Sequence, residues 1–369
     1  MLITTILAFI AILSVLVIIH ELGHFILAKK FGVKVEEFGF GFPPRIFGIK
    51  KGETLYSINL LPVGGFVKLY GEDAAGGGQV KSSKLKVKSH DLKRAFFARS
   101  AGQRAAIVLA GVVMNFLLAV VLISFLFATQ GVSIPTKNIR VVEVLSDGPS
   151  FVSGIKIDDI ILSLNSKPIQ KTEDFISQTK SHLGEQVILK IKRGEKIMTI
   201  MLIPRKVFPK GEGPLGIAIT NIEIKKYSII EAPFFGTLEA FKFSYLIGNG
   251  LLDMVVNLVL HGQKPTGIAG PIGVAQLTGQ AVSYGIGATL WFAALLSLNL
   301  AVLNVLPIPA LDGGRLFFIL IELVTGKKVN QKYETYAHAI GLIALLGLIV
   351  LVTVLDVLRI FSGKSILQP

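Results

Sequence analysis

The chain has 369 residues, 51% of them hydrophobic and only 17% charged, with a mean hydropathy of +0.65. That apolarity excludes an ordinary soluble domain and implies an integral membrane protein. The formal charge of +14 and the absence of cysteine add two limits. Basic loops suit anionic lipid, and with no nucleic-acid motif present no nucleic-acid partner is expected. Any metal must be held by His, Asp or Glu.

The first apolar run, roughly Thr4 to Ala28, is long enough to span a bilayer. It has no basic n-region and no small-residue cleavage site, so it is expected to be retained as a transmembrane helix. The loop from Lys29 to Arg104 holds 15 Lys/Arg against 6 Asp/Glu. The positive-inside rule makes this loop cytoplasmic and puts the N-terminus outside. Within it, 38–42 and 56–60 read as short strands broken by Pro43-Pro44 and by Pro62-Val63-Gly64-Gly65. Their apolar character points to a β-hairpin dipping into the membrane. Glu72 to Lys88, rich in Gly, Ser and Lys, is expected to be mobile.

A second span is expected from about Ala105 to Ala128, then a small α/β module with strands at 141–144, 160–164, 187–191 and 197–203 and a helix at 173–182. Leu246 to Leu260 is apolar but short and carries Asn249, Asp253 and Asn257, so an interfacial amphipathic helix is expected. Two more spans follow, Ile286 to Leu306 and Ile340 to Ile360. Four spans return the C-terminus to the outside. The expected division is 1–128 and 286–369 as two halves of a membrane core, 129–210 as an extracytoplasmic domain, and 211–285 as a linker with amphipathic helices.

Chemistry concentrates in the first span, at His20-Glu21-Leu22-Gly23-His24. Histidines four apart share one helix face and can hold one zinc ion, with Glu21 as general base for the attacking water. Such an ion lowers the pKa of its water from about 16 to about 7. A core histidine pair with a chance Glu is disfavoured, because ionisable groups at bilayer depth are costly and usually functional. A third ligand is needed. Near the end of the third span, Asn304 is followed by Pro307, Pro309 and then Asp312-Gly313-Gly314. Asp312 is the expected ligand: its span and the first run the same way, so both sites fall at similar depth. Asn304 is a candidate oxyanion donor, and Asn299 a weaker one. His90, His182, His261 and His338 lack partners at ligand spacing and are expected at the surface.

These two motifs together resemble the site-2 protease family of intramembrane metalloproteases, and more narrowly its bacterial RseP-type (regulator of sigma-E protease) members. The resemblance runs over nearly the whole chain. Gly39-x-Gly41 resembles the family's re-entrant β-loop, and Gly64-Gly65-Phe66-Val67-Lys68 its following stretch. The run from Gln103 through Gly111 to Asn115 is similar to its second span, with Val112 where a Pro is frequent. Residues 154–160 resemble a PDZ signature, with Asp158 at a usual Gly; Asp tolerates the left-handed turn better than most residues. There is room for one PDZ domain only.

The resemblance implies a polytopic α-helical membrane protein of about four transmembrane helices, with a re-entrant β-hairpin and an inserted α/β PDZ domain. It implies a zinc metalloendopeptidase of the bacterial inner membrane, with the PDZ domain extracytoplasmic. Its substrates would be single-pass membrane proteins, such as anti-sigma factors or remnant signal peptides, cut within or near the spanning helix. Zn2+ would be held by His20, His24 and Asp312, and Glu21 and Asn304 would be catalytic. Gly39, Gly41, Gly64, Gly65 and Asn299 would bind substrate, and the PDZ domain would bind substrate tails or filter by size. A zinc transporter or sensor, a non-catalytic PDZ scaffold, and a surface protease for soluble peptides are the alternatives. An intact Glu21, the absence of an inverted repeat, and histidines inside a span disfavour them.

Overall fold

The structure is a computed structural model that describes residues 2–72, 92–209, 211–263 and 269–362. His90, and all of the Glu72 to Lys88 stretch except Glu72, lie outside the described residues. The chain forms two units: Met1–Thr129 with Ser228–Pro369, and Gln130–Tyr227.

In the first unit, α1 (Leu2–Lys30) runs through apolar sequence without a proline or an internal break. It ends where Gly32 turns left-handed (φ 72°), after Lys29 and Lys30 place positive charge against the carbonyl end of the helix. The next two elements, β1 (Val35–Lys51) and β2 (Thr54–Leu69), are longer than the two short strands expected. They continue through the prolines, because repeated shifts of register absorb the missing donors. Residues 42–51 pair with 54–61 around the Gly52-Glu53 turn, while 37–40 face 55–58 on one side and 65–68 on the other. Phe42, Ile46, Phe47, Leu60 and Leu61 are left exposed.

The second apolar helix, α2 (Ala101–Thr129), is uninterrupted at Val112. It runs antiparallel to α1, since Gly23 meets Ala110 and His20 meets Asn115.

The second unit is built on one sheet: β3 (Val132–Val144), β4 (Ile160–Leu164), β5 (Lys167–Pro168), β6 (Val187–Arg193), β7 (Lys196–Leu202) and β8 (Ile217–Lys225). The strand order is β7-β6-β4-β3-β8, with β5 paired to β4. The alternating burial of β6 sends Val187, Leu189 and Ile191 into a core with Ile139, Val141, Ile161 and Leu164. Phe175 of α3 (Thr172–Ser181) joins them. Asp158 takes the left-handed conformation (φ 72°) expected of it. Beside it Asp159, fully buried, accepts from the Arg193 Nε and Nη2 at 2.7 Å and from the Lys156 N–H at 2.8 Å. That pairing holds the Arg193 guanidinium pKa above its ordinary value. The unit does not end at 210: β8 pairs with β3 from Val132 to Val144, so residues assigned to a linker complete the sheet.

The chain then returns to the first unit through α4 (Ala232–His261), α5 (Pro271–Ser283), α6 (Ile286–Val305), α7 (Asp312–Thr325) and α8 (Gln331–Phe361). Leu246 to Leu260 is thus the second half of one 30-residue helix, not a separate interfacial segment. Among the described residues five helices are long and apolar enough to cross a membrane: α1, α2, α4, α6 and α8. Only Ala232, Gly236 and Ala240 of α4 are buried, all in its first half. α6 runs antiparallel to α2 and therefore parallel to α1, with Trp291 stacked on Phe127 and the Ser297 hydroxyl donating to the Asn115 carbonyl.

Glu53 ties the hairpin turn to its surroundings, accepting from the Arg94 guanidinium at 2.6 and 2.8 Å and from Lys29 at 2.7 Å. Its bonds to Arg94, then those to Lys29, lower the Glu53 carboxyl from an ordinary 4.5 to about 2. A depressed carboxyl stabilises the fold above its ordinary value and loses that contribution as pH falls through its folded value. The thermal midpoint of detergent-purified protein should therefore exceed that of Glu53→Gln at neutral pH. The difference should shrink between pH 4.5 and about 2.

Candidate metal centre

One helix face of α1 carries His20 and His24, one turn apart. They lie against α2 at a point where both helices lack a side chain. A Cβ on Gly23 would sit 2.6 Å from the Ala110 carbonyl carbon, and one on Gly111 would sit 2.7 Å from Cε1 of both histidine rings. These two glycines let the helix backbones approach until the imidazoles fit between them. The rings meet edge to face, with centroids 4.8 Å apart.

The third group arrives from far along the chain. Pro307 and Pro309 end α6, Ala310 turns left-handed (φ 79°), and Asp312 opens α7, where a carboxylate suits the positive end of the helix. Its Oδ2 lies 3.0 Å from His20 Nε2 and 3.2 Å from His24 Nε2, and the two Nε2 atoms are 3.2 Å apart. Zinc bonds of 2.0–2.1 Å in a tetrahedron separate neighbouring ligand atoms by about 3.3 Å. The triangle is therefore the right size for one face of a zinc site, and two imidazoles with one carboxylate are an ordinary catalytic zinc donor set.

The two imidazoles are backed by α2. His24 Nδ1 lies 2.8 Å from the Ile107 carbonyl, which fixes the proton on Nδ1 and leaves the Nε2 lone pair free for metal. His20 Nδ1 lies 3.4 Å from the Asn115 side chain, which is completely buried.

A cavity of about 450 Å³ opens on the cluster, lined by Glu21, His24, Asp312, Glu72, Arg315 and residues 66–69 of β2. A Cβ added to Gly65 would lie 3.7 Å from Glu21 Cγ, so the end of β2 passes beside the expected base. Arg315, one turn after Asp312, is ion-paired to Glu72 at the foot of β2.

The structure thus brings together His20, Glu21, His24 and Asp312, with Gly65 beside them. Gly39, Gly41 and Gly64 shape the hairpin itself. The Phe66 ring covers Gly39, Gly41 bends left-handed (φ 78°), and Gly64 (φ 87°) packs on the Phe42 ring. Asn304 is half-buried on the last turn of α6 and does not line the cavity. Asn299 spends its amide N–H₂ on the Leu295 carbonyl of its own helix at 2.9 Å. His182 is partly buried and bonds the Gln178 carbonyl at 2.8 Å, and His261 is exposed.

His338 is not a surface residue: it is 3% exposed and accepts the Ala310 N–H at 2.9 Å. The last helix begins at Gln331, not near Ile340, which carries His338 into the bundle against the turn before Asp312. Spacing missed Asn115, His338, Arg315 and Glu72. A polar residue inside an apolar run was the signal available for the first two.

Residues 8–348 match the model of peptidase family M50. The chain belongs to this family. A candidate zinc metalloprotease of Clostridium acetobutylicum is 36% identical, covering 94% of this chain and 96% of its own length. The regulator of sigma-W protease RasP of Bacillus subtilis is 30% identical over 98% of this chain and 100% of its own, and the zinc metalloprotease RasP of Oceanobacillus iheyensis is 30% identical over 97% and 100%. A solved PDZ domain of an SdrC-like protein from Listeria monocytogenes matches 24% of this chain and 94% of its own at 21% identity, with a TM-score of 0.21. As a family M50 peptidase the chain is a membrane protein and a zinc metalloprotease of the intramembrane, site-2 type.

Gly111→Ala forces a methyl group against both imidazoles. Its zinc affinity, measured by chelator competition, should fall by ~10-fold or more, as for other disruptions of ligand support. Its helical circular dichroism should stay at the wild-type level.

Proposed function

We propose that this protein cuts single-pass membrane proteins within or near their spanning helix, with His20, His24 and Asp312 as the zinc ligands. The observation that carries this reading is the convergence of Glu21, His24 and Asp312 on one cavity bordered by residues 66–69 of β2, with His20 completing the triangle of candidate ligand atoms. Bound there, zinc supplies Lewis-acid chemistry, polarising the peptide carbonyl and acidifying water. Glu21 takes the proton from the attacking water and returns it to the leaving amine. Asn304 donates to the oxyanion when substrate is bound, with Asn299 released from its own helix as the alternative donor.

A peptide bond inside a helix is tied to its own turn and wrapped by side chains. The substrate must therefore unwind, and in lipid its freed N–H and C=O groups need partners. The outer edge of residues 65–68 supplies them by β-augmentation, beside Glu21. The exposed apolar residues of the hairpin, Phe42, Ile46, Phe47, Leu60 and Leu61, suit a hairpin that re-enters the bilayer. We read residues 130–227 as a PDZ domain on the extracytoplasmic side of a bacterial plasma membrane, where it binds substrate tails or filters by size. The basic loop after α1 supports this orientation. The sigma-W regulation named for the Bacillus relative makes anti-sigma factors a reasonable substrate class, with remnant signal peptides a second.

The test is cleavage of a tagged single-pass substrate by detergent-purified protein, alongside zinc content. Glu21→Gln should keep zinc and lose cleavage by ~10²–10⁴-fold, the usual range for a general base. Asp312→Ala should lose zinc. Cleavage by Glu21→Gln at the wild-type rate would overturn the mechanism.

A further inference from the structure

The turn that delivers Asp312 has few hydrogen bonds of its own. Pro307 and Pro309 have no N–H to give. The Ile308 N–H donates to Leu306 at 2.6 Å, and the Leu311 N–H donates to Ile308 at 3.1 Å. Between them stands Ala310, whose φ of 79° is uncommon for a residue with a side chain and persists only where the surroundings enforce it. The Ala310 N–H leaves the turn altogether and donates to His338 Nδ1 on α8, at 2.9 Å.

His338 is placed to do little else. Its ring is buried, sits 5.8 Å from the Phe318 ring of α7, and its Nε2 has no hydrogen-bond partner among the described residues. Accepting at Nδ1 requires the neutral ring with its proton on Nε2, because a doubly protonated imidazole has no lone pair to offer. One turn further on, Gly341 lets α8 press against the same turn: a Cβ there would lie 2.6 Å from the Pro309 oxygen. α8 therefore holds the turn by a close packing contact and by one directed hydrogen bond.

We propose that His338 is a positioning residue of the metal centre. By accepting the Ala310 N–H it keeps the 307–311 turn in the left-handed conformation that aims Asp312 at His20 and His24. The inference rests on the reading of those three residues as the zinc ligands. Without His338 the turn gains freedom, and Asp312 is ordered only at the expense of metal binding.

The experiment uses the full chain in detergent, with zinc affinity measured by chelator competition and folding followed by circular dichroism. Asparagine places an amide oxygen near the position of Nδ1, whereas glutamine carries its amide to the position of Nε2. His338→Leu should weaken zinc ~10–100-fold, the range for lost support behind a ligand. His338→Asn should restore most of that loss, and His338→Gln should not. Wild-type affinity in His338→Leu would overturn the proposal, as would better rescue by Gln than by Asn. If His338→Leu fails to fold, the comparison of Asn with Gln decides alone. Asp312→Ala is the reference. If it binds zinc like the wild type, the metal-centre reading itself has failed; if it loses zinc while His338→Leu does not, only the positioning role has.

Discussion

Two imidazoles and a carboxylate pointed at one spot among apolar helices set the terms for the rest of the membrane unit. A bilayer offers no water to satisfy such groups, so each must find its partner within the protein. Nε2 of His20, Nε2 of His24 and Oδ2 of Asp312 lie 3.0–3.2 Å from one another, a spacing at which one shared zinc ion would satisfy all three. That arrangement has geometric consequences. The helix bearing the histidines must approach its neighbour closely enough to hide two rings, which is why Gly23 and Gly111 face the α1–α2 contact. It also needs polar partners behind the rings: α2 supplies the Ile107 carbonyl, which accepts from His24 Nδ1, and places the Asn115 side-chain amide 3.4 Å from His20 Nδ1.

Support for the centre is spread over the whole unit. α1 carries His20, Glu21 and His24, α2 backs the two rings, the α6–α7 turn presents Asp312, and the Ala310 N–H of that turn is bonded to His338 of α8. β2 adds a strand edge beside Glu21, and shortly after its end Glu72 pairs with Arg315, one turn after Asp312. The ion pair therefore links the strand run that borders the cavity to the helix that begins with Asp312. Buried Arg104 and partly buried Glu322 make a second such link, between the start of α2 and the end of α7, at 2.6 Å. Isolated charges would be costly there, and pairing them fixes where the two helices cross.

The sequence by itself determined the class of molecule and the core of its chemistry. Long uncharged runs cannot be anything but spans or deeply buried helices. His20-Glu21-Leu22-Gly23-His24 is legible because helical periodicity alone brings its residues to one place, and Asp312 because two prolines and two glycines mark a forced turn at matching depth. Local pattern was less reliable where tertiary pairing takes over. It broke β1 and β2 at their prolines, whereas shifted registers carry both strands through. It ended the second unit at 210, because β8 is defined by its pairing with β3, 70 or more residues earlier in the chain. It shortened α4 to its most apolar half.

What only the tertiary structure decided is everything that joins residues far apart in sequence. His338 looked like a surface histidine because no ligand stands at helical spacing from it; its partner is a backbone N–H 28 residues away, freed by the turn at Ala310. Asn115 belongs to the stretch that resembles the family's second span, but its place 3.4 Å from His20 Nδ1 depends on α1 lying against α2. Gly65 beside Glu21, and Glu72 beside Arg315, depend on the path of β2 across the cavity. Spacing along one helix is fixed by covalent geometry and can be read from the chain. Which faces of different elements meet is fixed by packing and by the need to satisfy buried polar groups, and that becomes visible only in the folded molecule.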